Sequence, residues 1–370
     1  MRIGRFERML LIKIADLGDA AITLPAIHSL RKAYPQASLH VVSSPLGTEL
    51  YRLSPDIDRC FVLEKSRLKR PAGALALARL LWTLRRQQYD AVALFHHLTT
   101  NAGRSLYRLL LAATASPVRA GLDNGLGTFL THRVPDRGFG VCPEWDYARA
   151  VVEALGASPQ LERPRLRVSD AAFRRAQELV GDARDGLVVI HPGVGPFAPA
   201  RRWPVESFTT VARELTRQGY QVMVTGTVHE EPEARPLLRT PGVTSLIGRT
   251  DLATLVAVLQ QAKLVIGNDS GVTHLAAVLG RPTVAIFGPS NPDAWRPFEA
   301  EIVTPETLTT TRASVLALTA ALPCAPCCYV GFRVGRPQGC STRTCLIDLH
   351  PDVVLRAALQ LLEGDRDSSW

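Results

Sequence analysis

Four stretches of this 370-residue chain hold acidic, basic or thiol side chains at spacings that chemistry could use. The first is Asp269-Ser270-Gly271-Val272-Thr273-His274, which follows a short apolar run, 264–266, and the pair Gly267-Asn268. Leu275, Ala276 and Leu279 then recur at helical spacing, and Gly280-Arg281-Pro282 ends the helix before a second β-branched run, 283–287. A strand–helix–strand unit crosses over right-handed and leaves its helix N-terminus at the carboxyl edge of a parallel sheet. Bare N–H groups and the positive end of the helix dipole suit that edge to an anion, and Ser270 and Gly271 are small enough for a phosphate to come close. A plain βαβ unit, with Asp269 as helix cap and Ser270-Gly271 as a turn, has the same pattern.

The second is Asp19, reached through Leu17-Gly18 in a loop, 15–19, between a strand at 9–14 and a helix at 20–32. It is either a helix cap or a carboxylate presented at the strand ends. Pro25 falls early enough in that helix to be tolerated. The third is the glycine-rich loop His191-Pro192-Gly193-Val194-Gly195, which follows a strand at 187–190. Arg201-Arg202-Trp203-Pro204 comes next, with Pro204 opening a helix at 205–218. The fourth is Cys324, Cys327, Cys328, Cys340 and Cys345: a C-x2-C, a gap and a C-x4-C. That set suits tetrahedral thiolate coordination of a structural zinc or iron by Cys324, Cys327, Cys340 and Cys345, or else reduced structural thiols. His96-His97 end a strand at 91–95 with no third ligand spaced nearby, so no metal is assigned there. The basic run Lys65, Arg67, Lys69 and Arg70 is a solvated face or part of an anion site.

These residues need rigid elements behind them, and the pattern supplies them twice. Apolar strands alternate with helices through the first half, a Pro-containing linker spans 156–167, and the alternation restarts at 171. The expected fold class is therefore α/β in two domains, with boundaries 1–165 and 166–349. The charged and apolar fractions are those of a globular protein, and the net charge of +9 calls for an anionic partner. No nucleic-acid signature is legible, no apolar run is long enough to span a membrane, and the N-terminus lacks a secretory pattern. Seven cysteines, clustered late, fit a reducing compartment, so a cytoplasmic location is expected. A nicotinamide dehydrogenase is disfavoured, because no G-x-G-x-x-G follows the first strand.

Residues 11–27, Leu-Ile-Lys-Ile-Ala-Asp-Leu-Gly-Asp-Ala-Ala-Ile-Thr-Leu-Pro-Ala-Ile, resemble the opening of the bacterial heptosyltransferases, glycosyltransferase family 9. His191-Pro192-Gly193 with Arg202-Trp203-Pro204, the stretch 226–231, and 269–274 agree in order and spacing, so the resemblance runs from Leu10 to Val353. It implies a GT-B fold, two Rossmann-like α/β/α domains facing an interdomain cleft, with a last helix, 350–370, crossing back to the first domain. It also implies inverting, metal-independent transfer of heptose from ADP-heptose to the Kdo/heptose inner core of lipopolysaccharide. The protein would work as a peripheral protein on the inner face of the cytoplasmic membrane.

Carried over by position, Asp19 matches the general base, and Arg201 matches a lysine that contacts donor phosphates. Ser270, Gly271 and Val272 match the pyrophosphate cradle, with Asp269 expected to position the donor sugar or brace the loop and His274 to support it. Thr250 and Leu252 lie where relatives pack adenine. Gly18, His191, Pro192, Gly193, Thr227 and Glu230 complete the expected donor site. Val228 replaces a ribose-binding Glu of some members, which leaves Glu230 or Glu231 for that work. Lys65, Arg67, Lys69, Arg70 and Arg104 are expected to meet an anionic glycolipid such as Kdo-lipid A. The cysteines resemble a finger that holds iron in a branch acting on autotransporter proteins, so a protein acceptor is an alternative. A catalytically silent nucleotide-sugar-binding subunit is another.

Overall fold

A computed structural model describes residues 6–181, 186–195 and 197–367; residues 1–5 and 368–370, at the ends of the sequence reading above, lie outside them. The chain divides into two compact units, Met1–Gly138 with Glu144–Arg167, and Phe139–Pro143 with Val168–Trp370. Each is built on one parallel sheet. In the first, β1 (Arg8–Lys13), β2 (Ser38–Ser43), β3 (Arg59–Val62), β4 (Ala91–Leu94), β5 (Val118–Asp123) and β6 (His132–Pro135) lie in the order β3-β2-β1-β4-β5-β6. In the second, β7 (Leu187–His191), β8 (Gln221–Val224), β9 (Val243–Ser245), β10 (Leu264–Asn268), β11 (Thr283–Phe287), β12 (Glu301–Val303) and β13 (Val315–Thr319) lie in the order β12-β13-β11-β10-β7-β8-β9. Both orders contain the doubly wound 3-2-1-4-5 arrangement, which reverses direction beside the first strand of the unit. The central strands are continuous apolar runs because helices cover both faces of such a sheet. Leu10, Ile12, Val92 and Leu94 centre one core, and Val188, Ile190, Ile266 and Ile286 the other. A short hairpin, β14 (Cys328–Val330) with β15 (Arg333–Gly335), carries part of the cysteine-rich segment.

Two expectations about the first helix need correction. The first helix runs Leu17–Ala33, so Leu17-Gly18-Asp19 is its opening turn and not a loop, and Asp16 takes the cap position, which leaves Asp19 the other of its two readings, a presented carboxylate. Pro25 is consequently interior, where it withholds a donor from the carbonyl of Ala21. The C-terminal helix, Pro351–Asp367, packs on the helix Val205–Arg217 and on β10 and β11. Its apolar face (Val354, Ala357, Ala358, Leu361) belongs to the second unit's core.

One buried side chain fixes the loops of the second unit. Asn268, fully buried at the end of β10, accepts the Trp203 backbone N–H on Oδ1 (2.9 Å) and donates from Nδ2 to the carbonyl of Pro192 (2.7 Å). Its own carbonyl accepts the Thr273 hydroxyl (2.9 Å), and the Trp203 indole N–H donates to Leu349 (3.0 Å).

His97 does comparable work in the first unit. Its ring lies 2.9 Å from Asp136 through Nδ1 and 2.9 Å from Glu144 through Nε2, and all three are buried. Burial opposes its charge, but the two carboxylates win and raise its pKa to about 9. Asp136 and Glu144 flank Phe139–Pro143, the five residues that belong to the second unit. There Phe139 donates its N–H to Gly331 (2.6 Å) and its ring meets Trp295 and Tyr329.

Two outcomes follow. Because the folded His97 pKa is raised, its contribution is complete below about pH 6.5, the unfolded value, and is lost as pH rises through about 9. Denaturant unfolding should show about 3 kcal/mol lost across that window, and His97→Gln should flatten it. Asn268→Ala leaves a buried N–H and a buried carbonyl unpaired, and should cost about 3 kcal/mol in the same measurement.

Candidate active site

In each unit the strand order reverses beside the first strand, and open α/β sheets hold ligands at the carboxyl ends there. In the first unit that point lies between β1 and β4. Lys13, at the end of β1, is 5% exposed, and its ammonium contacts Asp19 Oδ1 at 2.8 Å. Asp19 is therefore a part-exposed carboxylate in a first helical turn, tied on its inner side to a buried cation. Both backbone groups of Ile14 are claimed by side chains: its N–H donates to His96 Nε2 (2.8 Å), and its carbonyl accepts from Lys65 Nζ (2.7 Å). An Nε2 that accepts leaves any proton on Nδ1. Burial and the nearby Lys13 and Lys65 hold the His96 pKa well below the usual histidine range. Its ring stacks on Tyr107 at 4.6 Å, and the Tyr107 hydroxyl takes a second bond from Lys65 (3.2 Å). Burial, then Lys13, lower the Lys65 pKa.

Of the five expected acceptor-binding residues, Lys65 alone is shown bonded at this strand end. Arg67 pairs with Glu64, Lys69 and Arg70 are exposed, and Arg104 bonds Asn101 within its own helix. Gly18, expected at the donor, lies beside Asp19 in the first unit, whereas the other expected donor residues belong to the second.

In the second unit the switch point lies between β7 and β10. Ser270 caps the helix Gly271–Val278 through a reciprocal box with Thr273, which corrects the reading of Asp269 as the cap. Asp269 instead receives Arg201 Nη1 on Oδ2 (3.1 Å), and Nε2 of the His274 ring lies 3.3 Å from its Oδ1. Burial works against an ionised Asp269, but Arg201 and His274 outweigh it and hold its pKa far below the usual carboxylate range. The pairing likewise raises Arg201 against its own burial. Arg201 Nε and His274 Nδ1 are buried without a hydrogen-bond partner, two nitrogens beside a helix N-terminus that an anionic oxygen could satisfy.

The neighbouring loops are braced together. Glu230 Oε2 accepts from the Thr227 N–H (2.8 Å) and hydroxyl (2.9 Å), which fixes the turn that carries it. A Cβ on Gly193 would fall 2.0 Å from Glu230 Oε1, so the carboxylate rests where any larger residue would displace it. His191 Nδ1 donates to the Thr225 carbonyl (3.1 Å), and burial lowers its pKa. Thr250 and Leu252 are half-buried at the start of the helix Leu252–Gln261. Pro192 lines a cavity of about 420 Å³ with Arg202, Trp203 and Glu230.

Cys324, Cys327, Cys340 and Cys345 are free thiols. Burial and the neighbouring Cys327, Cys340 and Cys324 push the Cys345 thiol up to about 11, so these four share one neighbourhood. Among the described residues no three Cys, His, Asp or Glu side chains are gathered around one point.

Sequence reasoning passed over Lys13, Tyr107 and Asn268. A lone lysine in an otherwise apolar strand was the available signal for Lys13, since a buried ammonium needs a partner.

Residues 77–313 match the model of Glycosyltransferase family 9 (heptosyltransferase). Lipopolysaccharide heptosyltransferase 2 of Salmonella typhimurium is 26% identical over 312 residues, 77% of this chain and 84% of that relative. The structure of E. coli ADP-heptose lps heptosyltransferase II matches with a TM-score of 0.70 at 22% identity, covering 97% of this chain and 99% of that one. The iron-containing dodecameric glycosyltransferase TibC of enterotoxigenic E. coli matches with a TM-score of 0.56 at 16% identity, over 99% and 78%. Two Rossmann-like parallel-sheet units and the structural neighbours agree on a GT-B-type fold. With the family model spanning more than half of its length, the chain belongs to glycosyltransferase family 9, the heptosyltransferases.

Proposed function

We propose that the chain is an inverting transferase that moves heptose from ADP-heptose to the Kdo/heptose inner core of lipopolysaccharide, working peripherally at the cytoplasmic face of the inner membrane. The observation that carries this reading is Asp19, a part-exposed carboxylate tied to a buried lysine at the strand ends. Such a carboxylate can remove the proton of an acceptor hydroxyl as its oxygen attacks the anomeric carbon. The new C–O bond forms on the face opposite the breaking bond to the diphosphate, and ADP leaves with the bonding pair. Lys13 keeps Asp19 in one position during that step. Negative charge growing on the leaving diphosphate is met by Arg201 and the helix start at Ser270-Gly271-Val272. An arginine here grips phosphate as a fork where a lysine would act as a point charge. Asp269 and His274 orient Arg201, and Thr250 and Leu252 flank the adenine. Lys65 and the exposed Arg67, Lys69, Arg70 and Arg104 answer an acceptor bearing carboxylates and phosphates. The relatives' names, a lipopolysaccharide heptosyltransferase and an ADP-heptose enzyme, support donor and acceptor alike.

The cysteines favour a second reading, a protein acceptor with a structural zinc or iron held by Cys324, Cys327, Cys340 and Cys345. Four free thiols near one another but not gathered around one point would have to close on a thiophilic ion, which would then pin the Arg-rich segment 331–339 without entering the transfer. The name of TibC, iron-containing, supports it.

Asp19→Asn should lower kcat at least a thousandfold and leave ADP affinity within twofold, measured by ADP release and calorimetry; wild-type turnover would overturn the mechanism. Tight ADP-heptose binding by the wild type without turnover would indicate a silent donor-binding subunit. Elemental analysis should find about one zinc or iron per chain, lost in Cys327→Ser with Cys345→Ser. Turnover on an autotransporter fragment but not on Kdo-lipid A would move the acceptor to protein.

A further inference from the structure

The helix Pro71–Arg86 buries only Gly73, Leu80 and Leu84 of its sixteen residues. Its outer surface carries large apolar groups that nothing covers: Leu75 is 53% exposed and Trp82 63%. Leu75, Ala78 and Trp82 recur at intervals of three and four, so they form one line along the helix. Arg79, Arg85 and Arg86 flank that line, with the Arg86 guanidinium 4.6 Å over the Trp82 ring. No carboxylate falls within the helix, and between Lys65 and Leu122 ten Lys and Arg face a single acid, Asp90. Asp90 is already engaged, accepting the backbone N–H groups of Glu7 and Arg8. Two other surface helices are different: Asp170–Val180 exposes Phe173 but carries Asp170 and Glu178, and Val205–Arg217 carries Glu206 and Glu214. The helix Asn101–Thr114, packed beside Pro71–Arg86, also lacks acids and exposes Arg108 and Leu109.

We propose that the outer face of helix Pro71–Arg86 docks on an anionic phospholipid bilayer. The helix lies in the plane of the interface, Leu75 and Trp82 enter the headgroup boundary, and Arg79, Arg85 and Arg86 meet lipid phosphates. Arginine-flanked leucine and tryptophan on an acid-free helix is the composition of an interfacial helix, and tryptophan favours the boundary between headgroups and acyl chains. A nucleic acid would use the arginines but give Leu75 and the exposed alanines nothing to bury against, so charge and apolarity together favour lipid. The docking rests on the proposed membrane-side acceptor for its purpose and not for its test, since vesicle binding needs no turnover.

The full chain should co-sediment with phosphatidylglycerol–phosphatidylethanolamine vesicles at 50 mM salt, weaken sharply at 500 mM, and ignore phosphatidylcholine vesicles. Arg79→Gln, Arg85→Gln and Arg86→Gln together should lower partitioning about a hundredfold, near fivefold for each charge. Leu75→Ser with Trp82→Ser should lower it more than tenfold, with thermal melting unchanged in both variants because every site is exposed. Turnover on a deacylated acceptor should stay at the wild-type rate. Equal binding to neutral vesicles, no binding to anionic ones, or full binding by both variants would overturn the proposal. Vesicle binding without any turnover would uphold the docking face and sink the proposed reaction alone.

Discussion

The second unit depends on a carboxamide that never meets solvent. Asn268 ends β10 and spends both ends of its side chain on other segments, the backbone at Trp203 and the carbonyl of Pro192. Arg201 is two residues from one anchor and Gly193 is next to the other, while Asp269 follows Asn268 directly. A glutamine would overshoot, and an aspartate would lack the donor for Pro192. The reach of one side chain thus decides where the guanidinium and carboxylate of the buried pair can stand. That pair is not an obvious source of stability, because drawing two charges out of water costs about what their attraction returns. Its retention is better explained by the unpaired nitrogens it holds ready.

The first unit solves a similar problem with charge. Lys13 has no water to solvate it, so Asp19 is drawn to it. Lys65 reaches in from a surface turn to cap the carbonyl of Ile14, and a neutral His96 receives the matching N–H. Two lysines and one uncharged imidazole around a strand end leave an electropositive floor under a single carboxylate, the arrangement expected where anions must be welcomed and one base kept aligned.

Much of this was legible in the chain. Fully buried parallel strands are unbroken apolar runs, so β7, β10 and β11 could be found to within a residue or two at their ends, and 283–287 needed no adjustment. The helix Leu252–Gln261 likewise carries a local signal, since the Asp251 side chain caps it through the Thr254 N–H. Less visible were interactions between residues far apart along the chain. Asn268 read only as the boundary of an apolar strand because its partners lie 65 and 76 positions away, and the Asp136 and Glu144 partners of His97 are invisible to any local pattern. Asp19 was misplaced by local logic too: Leu17-Gly18 suggests a loop, yet the helix starts there with Asp16 at the cap position. The C-terminal helix was expected from the resemblance, but nothing in its own residues names the sheet it covers.

The excursion Phe139–Pro143 has a consequence for how the chain is made. Its hydrogen-bonding and aromatic partners, Trp295, Tyr329 and Gly331, emerge from a ribosome some 150 to 190 residues after it. His97, Asp136 and Glu144 can close the first unit long before then, holding a loop with Phe139 at its start ready for a site not yet synthesised. A chain stopped after Arg167 would therefore carry an unsheltered phenylalanine between two clamped ends, a place for proteases and chaperones to distinguish an unfinished protein from a complete one.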